Sequence, residues 1–151
     1  MNVSLRTITK DNFAAVIDLA LLEHQEDHLA SNAYSIAEAS FYPDYSTRAV
    51  YQDEELVGFL MYASLAGQGD PGEYAIYRLM IDHRHQGKGY GRRAIELALA
   101  EIRAYGGVTR IWICYWPGNP TARQFYASVG FVETELDETG EMYAQISFSP
   151  T

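Results

Sequence analysis

The residues with the clearest chemical potential lie between Arg78 and Arg93. A short apolar run, Leu79-Met80-Ile81, stops at Asp82, and the polar stretch His83-Arg84-His85-Gln86 follows. Gly87, Gly89 and Gly91 then alternate with Lys88 and Tyr90, and from Arg92 onward helix formers dominate, Ala94 to Ala100. The pattern predicts strand, loop, helix. Alternating glycines allow a tight turn and leave backbone N–H groups facing outward. With the positive end of the helix dipole, Lys88 and Arg92, those groups suit a phosphate or pyrophosphate. Glycine, not serine or threonine, follows Lys88, so the stretch is not a P-loop. An ordinary glycine-rich turn opening a helix is the plainer alternative. His24 and His28 have the i, i+4 spacing of a helical zinc pair, but no His-Glu-x-x-His sequence accompanies them and no metal is expected.

The flanking elements must position this loop. Val3 to Ile8 alternates as a strand, and Asp11 suits the N-cap of a helix carrying Phe13, Val16 and Ile17. Ser35, three residues before Glu38, predicts a capping box opening a second helix that ends near Pro43. Ser46 to Gln52 and Glu55 to Ser64 form a hairpin across Asp53-Glu54. Tyr74 to Ile81 feeds the glycine loop, and Tyr90 to Ala104 is the long helix. Val108 to Tyr115 is a further strand, Thr121 to Ser128 a short helix, and 131–136 with 142–148 a final hairpin.

Apolar residues are 48% of the 151 and charged residues 21%, which predicts one folded domain, 1–151. No apolar run approaches the ~20 residues of a membrane span. A net charge of −9 disfavours nucleic acid and favours a cationic substrate such as a polyamine or basic peptide, with plain solubility as the bland alternative. Cys114 is the single cysteine, and Met1 to Arg6 does not read as a signal peptide, so a reducing cytoplasm is expected.

Gln86 to Gly91 fits Gln/Arg-x-x-Gly-x-Gly/Ala. Asn119 to Phe131, one helix and one strand further on, fits Asn-x-x-Ala-x-x-x-Tyr-x-x-x-Gly-Phe. With the hairpin Glu55-Leu56-Val57-Gly58-Phe59, these stretches resemble the GNAT family of N-acetyltransferases over essentially the whole chain. The resemblance implies an α/β (α+β) fold, a mixed sheet of about seven strands with helices on both faces, ordered β-α-α-β-β-β-α-β-α-β-β. It implies acetyl transfer from acetyl-coenzyme A to an amine in a ternary complex, with no covalent enzyme intermediate. Two parallel strands, ending near Ile81 and Cys114, would splay and admit the pantetheine arm along Leu79, Met80 and Ile81. The pyrophosphate would rest on Gln86, Gly87, Lys88, Gly89, Tyr90 and Gly91, with Arg92 nearby. Asn119 would bind the arm or order the next helix, and the Met80 N–H would face the developing oxyanion. Tyr126 corresponds to the general acid, since a phenol of pKa about 10 keeps its proton at neutral pH. Its plainer reading is a half-buried helix aromatic, one of 12 tyrosines.

The acceptor amine must shed a proton to a carboxylate or a water chain. Glu23, Asp27, Glu73, Tyr77 and Glu141 are the expected acceptor contacts, though solvated surface charge is the commoner role for such acids. Residues 53–62, 78–91 and 135–141 resemble bacterial spermine/spermidine (diamine) acetyltransferases, which implies a polyamine, with tyrosines as cation–π walls. The alternatives are another amine (a protein N-terminus or lysine, an amino acid, an aminoglycoside) or a non-catalytic acetyl-coenzyme A sensor. Cys114 reads as a small buried filler beside the less expected covalent route. Related enzymes are often homodimers, and the final hairpin is the expected contact.

Overall fold

The computed structural model describes residues 2–22 and 30–149. In chain order the elements are β1 (Val3–Thr7), α1 (Phe13–Asp18), α2 (Asn32–Ala39), β2 (Tyr45–Gln52), β3 (Glu55–Ser64), β4 (Glu73–Ile81), α3 (Tyr90–Arg103), β5 (Arg110–Tyr115), α4 (Pro120–Val129), β6 (Val132–Leu136) and β7 (Met142–Ser147). This is the expected order. The strands form one seven-stranded sheet, β1-β2-β3-β4-β5-β7-β6. Among the described strands only β4 and β5 run parallel, because α3 carries the chain across between them.

Strand alternation sorts the core into two layers. Along β3, Val57, Leu60 and Tyr62 face one cluster, whereas Phe59 and Met61 face the other. α3 presses Ala94, Ile95, Ala98 and Ile102 into the first cluster, a helical stripe whose two isoleucines stabilise by about 2 kcal/mol each. α4 adds Phe125, Tyr126 and Val129 to the same layer. Val16 of α1 and Ile36 of α2 cover the opposite face, but only over β2 to β4. Among the described residues this second cluster takes none from β5 or β7. Among the described residues no helix covers the face carrying Trp112, Cys114 and Tyr143.

Two predicted caps are corrected. Asn12, not Asp11, precedes α1, and its side chain serves the turn by accepting from Thr9 N at 2.8 Å. Ser31, not Ser35, caps α2 by accepting from Tyr34 N at 3.0 Å. Ser35 lies one turn inside, buried, with its hydroxyl on Ser31 O. Glu38 instead approaches Arg78 at 3.7 Å. Among the described residues no helix is long and apolar enough to cross a membrane.

β3 and β4 approach closely at Gly58. A Cβ there would stand 2.5 Å from Met80 O and 2.7 Å from Ile81 Cδ1. Backbone cannot yield as a flexible side chain does, so Gly58→Ala is expected to destabilise the protein by about 2–3 kcal/mol. Urea unfolding reads this directly, and an unshifted midpoint would mean that the strands part freely.

Candidate active site

The site begins where β4 and β5 diverge. Their pairing runs from Glu73 opposite Arg110 to Ile76 opposite Ile113 and then stops, although β4 continues to Ile81 and β5 to Tyr115. On the β3 side the register slips at the same level, Met61 facing Arg78 and Tyr62 facing Ile76, so Tyr77 is the extra residue of a β-bulge. A bulge bends its strand and sharpens its twist, which swings the rest of β4 away from β5. The result is a fork open at the C-terminal ends of the two strands.

Register decides which backbone groups line the fork. Asp82 N donates to Val57 O at 2.8 Å, and Met80 stands opposite Phe59, two residues further along each strand. By the alternation of an antiparallel ladder, Met80 also turns its N–H and C=O to β3. Leu79 and Ile81 turn theirs to the open side, where Gln86 Nε2 donates to Ile81 O at 2.9 Å. This corrects the expectation for Met80, whose N–H is engaged in the sheet; Leu79 N–H is the donor that faces the fork.

The loop beyond β4 is built around Asp82, whose side chain is 1% exposed. Its carboxylate accepts from Arg84 N at 3.0 Å, Arg84 Nε at 2.8 Å and Ala20 N at 3.0 Å. Burial would raise its pKa, but these donors outweigh it and hold the group down at about 2. The chain then passes through Gly87 at φ 76° and Gly89 at φ 85°, left-handed values that strain any residue with a side chain. Gly89 stands at the N-cap of α3 and offers no side chain to the first N–H groups. Gly91 sits against Ile81 of β4 and Phe125 of α4, at 3.6 and 3.8 Å from where its Cβ would be. An exposed turn, uncapped helical N–H groups and the positive end of a 14-residue helix fit a pyrophosphate. Lys88 is exposed beside it, whereas the Arg92 guanidinium is turned to Ser128 of α4.

Asn119 caps α4, its Oδ1 accepting from Ala122 N at 3.2 Å with Pro120 in the first turn. Of its two expected roles, ordering the helix is the one seen. α4 in turn carries Tyr126. The Tyr126 ring stacks on Tyr115, the last residue of β5, with centroids 5.4 Å apart, and meets Phe131 edge-on. Tyr115 is itself pinned, because its hydroxyl donates to Glu133, which Arg123 of α4 grips at 2.9 and 3.0 Å. Burial alone pushes the Tyr126 phenol up to about 12, and no hydrogen bond joins its hydroxyl to another described residue. It is a protonated donor at the C-terminal end of β5.

The other face of the fork differs. A cavity of about 330 Å³ lies between the end of α1 and β4, lined by Leu19, Ala20, Asn32, Arg78, Leu79 and Met80 among others. Across β5 and β7 this face gathers Cys114, Asp137 and Glu141, whose ligating atoms lie within 4.8 Å of one another. Cys114 Sγ donates to Glu141 Oε2 at 3.0 Å. Burial and this carboxylate push the thiol pKa up, so Cys114 stays protonated and is no nucleophile. Tyr143 stands opposite Cys114 in the sheet and packs edge-on against Trp112 at 6.1 Å. Burial raises its pKa, as do Cys114, Asp137, Glu141 and Tyr77 around it.

Of the expected acceptor contacts, Glu141 lies at this face, whereas Tyr77 packs on the second cluster beside Tyr45. Glu73 does not join Glu141: it opens β4, ahead of the fork, and is taken by Trp112 Nε1 at 2.7 Å and Arg110 at 3.6 Å. Glu23 and Asp27, like His24 and His28, lie outside the described residues. Asp82, Trp112 and Tyr143 were missed by sequence reasoning. For Trp112 alone there was a signal, the alternation of β5, in which Trp112 and Cys114 oppose the buried Ile111, Ile113 and Tyr115.

Residues 13–131 match the model of the Acetyltransferase (GNAT) family. The chain therefore belongs to the GNAT acetyltransferases and is an N-acetyltransferase whose donor is acetyl-coenzyme A. The spermine/spermidine N(1)-acetyltransferase of Bacillus subtilis (strain 168) is 28% identical over 145 residues, 93% of this chain and 95% of that protein. Aminoglycoside acetyltransferase AAC(6')-Ib in complex with coenzyme A shares the fold at TM-score 0.80 and 18% identity, over 97% of this chain and 95% of its own. So does PaiA N-acetyltransferase from Thermoplasma acidophilum in complex with coenzyme A, at TM-score 0.75 and 14% identity, over 98% and 100%.

Proposed function

We propose that the acceptor is a polyamine such as spermidine or spermine, and that it approaches the fork from the face of β5 and β7. The observation that carries this reading is the gathering of Glu141 and Asp137 around Cys114, with Tyr143 opposite Cys114 in the sheet. Carboxylates attract each ammonium of a polyamine, and ring faces suit the charged ends between apolar stems. The polyamine named in the B. subtilis relative, similar over 93% of this chain, supports the same choice. Acetyl-coenzyme A supplies the activated thioester. Around it, the N–H groups of Gly87 to Gly91 with Lys88 hold the pyrophosphate. Leu79 and Ile81 hold the pantetheine arm, and Leu79 N–H faces the carbonyl oxygen as charge develops there. Glu141 orients the acceptor nitrogen and takes its proton, and Tyr126 Oη–H donates to the departing sulfur.

A screen of spermidine, spermine, aminoglycosides, amino acids and peptides tests the reading. Spermidine or spermine is expected to give the highest kcat/KM. Glu141→Gln is expected to lower kcat/KM for the polyamine by about tenfold or more, with unchanged acetyl-coenzyme A affinity. Arg78 favours a second reading. Its guanidinium lines the cavity, its Nε has no hydrogen-bond partner among the described residues and its ion pair with Glu38 is long at 3.7 Å. An acceptor with a carboxylate near its amine would use it. Preference for such an acceptor would replace the polyamine reading.

A homodimer through the final hairpin remains part of the proposal. All five residues of β6, the outer strand, are exposed, with Val132 at 65% and Leu136 at 55%. Light scattering at the monomer mass would remove it. A cytoplasmic setting fits the unpaired Cys114; export of the protein in cell fractionation would contradict it.

A further inference from the structure

At the other end of the sheet from the fork, Asp44, Ser46, Tyr62, Ser64, Tyr74 and Tyr105 line an open pocket of about 190 Å³. The Ser46, Ser64 and Tyr74 hydroxyls can donate or accept, but the Tyr105 oxygen can only accept. Tyr62 Oη donates to Glu101, so Tyr105 must be the donor in the 2.7 Å contact between the two hydroxyls. The Tyr105 oxygen is then left with lone pairs only. Arg48, the nearby cation, is spent elsewhere: Nε meets Glu101 at 3.1 and 3.2 Å, and Nη1 donates to Thr47 O at 2.8 Å. Asp44 has no ion-pair partner among the described residues. A side chain at position 67 would crowd its carboxylate, since a Cβ on Gly67 would lie 2.9 Å from Asp44 Oδ2. The rings of Tyr74 and Tyr105 stack at 5.9 Å and 11°, with Tyr105 56% exposed.

Ring faces, acceptor oxygens and an unpaired carboxylate, with no free donor cation, select a ligand that donates hydrogen bonds and carries positive charge. We propose that this pocket is a second binding site, for a small protonated amine, separate from acetyl transfer. Tyr74 is the second residue of β4 and Ile81 its last, so about 20 Å of strand separates the two sites. The inference does not depend on which amine is acetylated.

The test is a titration of the intact protein with n-butylammonium at pH 7, followed by amide NMR shifts, with butan-1-ol as the neutral control. Saturable shifts at the Ser46, Ser64 and Gly67 amides are expected with the ammonium and not with the alcohol. The double variant Asp44→Asn/Tyr105→Phe changes two surface groups, and its spectrum elsewhere checks the fold. It is expected to bind about tenfold more weakly or worse at those amides. Absent shifts there, equal shifts with butan-1-ol, equal affinity in the double variant, or shifts confined to Leu79, Ile81 and Glu141 would each overturn the site. Failure of the polyamine reading would appear as a lack of acetylated polyamine and would leave these amides responding.

Discussion

Replacing Tyr126 by phenylalanine is expected to lower kcat by about 10²–10³-fold, the loss that follows removal of one donor aimed at a developing charge. Acetyl-coenzyme A affinity should not change, because the ring keeps its stack on Tyr115 and the hydroxyl has no partner among the described residues to leave behind. The phenol sits at about 12 through burial. Full proton transfer to an ordinary thiolate of pKa about 8.5 would run uphill by roughly 5 kcal/mol. Donation of a hydrogen bond to the sulfur therefore carries the effect. The same shift fixes the pH behaviour. A group raised to about 12 keeps its proton across the working range, so Tyr126 contributes no alkaline fall in kcat near pH 10, where a free tyrosine would. Single-turnover rates across pH 7–11 for both proteins check this. An unchanged rate in the variant would remove Tyr126 from the chemistry, and a fall centred near 10 would contradict its burial.

What sequence could convey depended on how far each signal reaches. Element order was legible because the continuous apolar run of β3 and the 3.6-residue stripe of α3 are local and strong. The α2 cap was not, since Ser35 with Glu38 has the spacing of a capping box, yet Ser31 meets the first free N–H. Loop, asparagine and tyrosine were legible through the family motifs. The fork geometry was not, because it hangs on a bulge at Tyr77 that only the β3 register reveals. The same register turns Met80 inward and Leu79 outward, a difference of one residue that no composition pattern carries. Glu73 was grouped with the acceptor acids for its charge, but a strand has two ends, and Glu73 stands at the wrong one. Trp112 and Tyr143 meet only through the pairing of β5 with β7. Asp82, which follows an apolar run, looks in sequence like a strand terminator and nothing more.

Asp82→Asn is expected to be the most destabilising polar change in the site, by about 3 kcal/mol or more. The wild-type carboxylate accepts from two backbone N–H groups and from Arg84 while almost fully buried. An amide of the same shape has one oxygen, so its NH₂ group must face a donor, and the Arg84 contact loses its charge. Linkage sets the pH window. The folded pKa, about 2, lies below the unfolded value of about 3.9. The stabilisation is complete above pH 4 and is lost as pH falls toward 2, amounting to about 2–3 kcal/mol. Acid titration of unfolding should show that component in the wild type and not in the variant. The loss should also reach the chemistry. Asp82 ties Ala20, a wall of the cavity, to the end of β4, and His83 N bonds Ala20 O at 2.9 Å as a second tie. With one tie cut, Leu79 and Ile81 lose their fixed setting at the fork, and acetyl-coenzyme A affinity should fall at temperatures where the variant is still folded. A variant as stable as the wild type, with the same acid limb, would mean that Asp82 merely ends a strand.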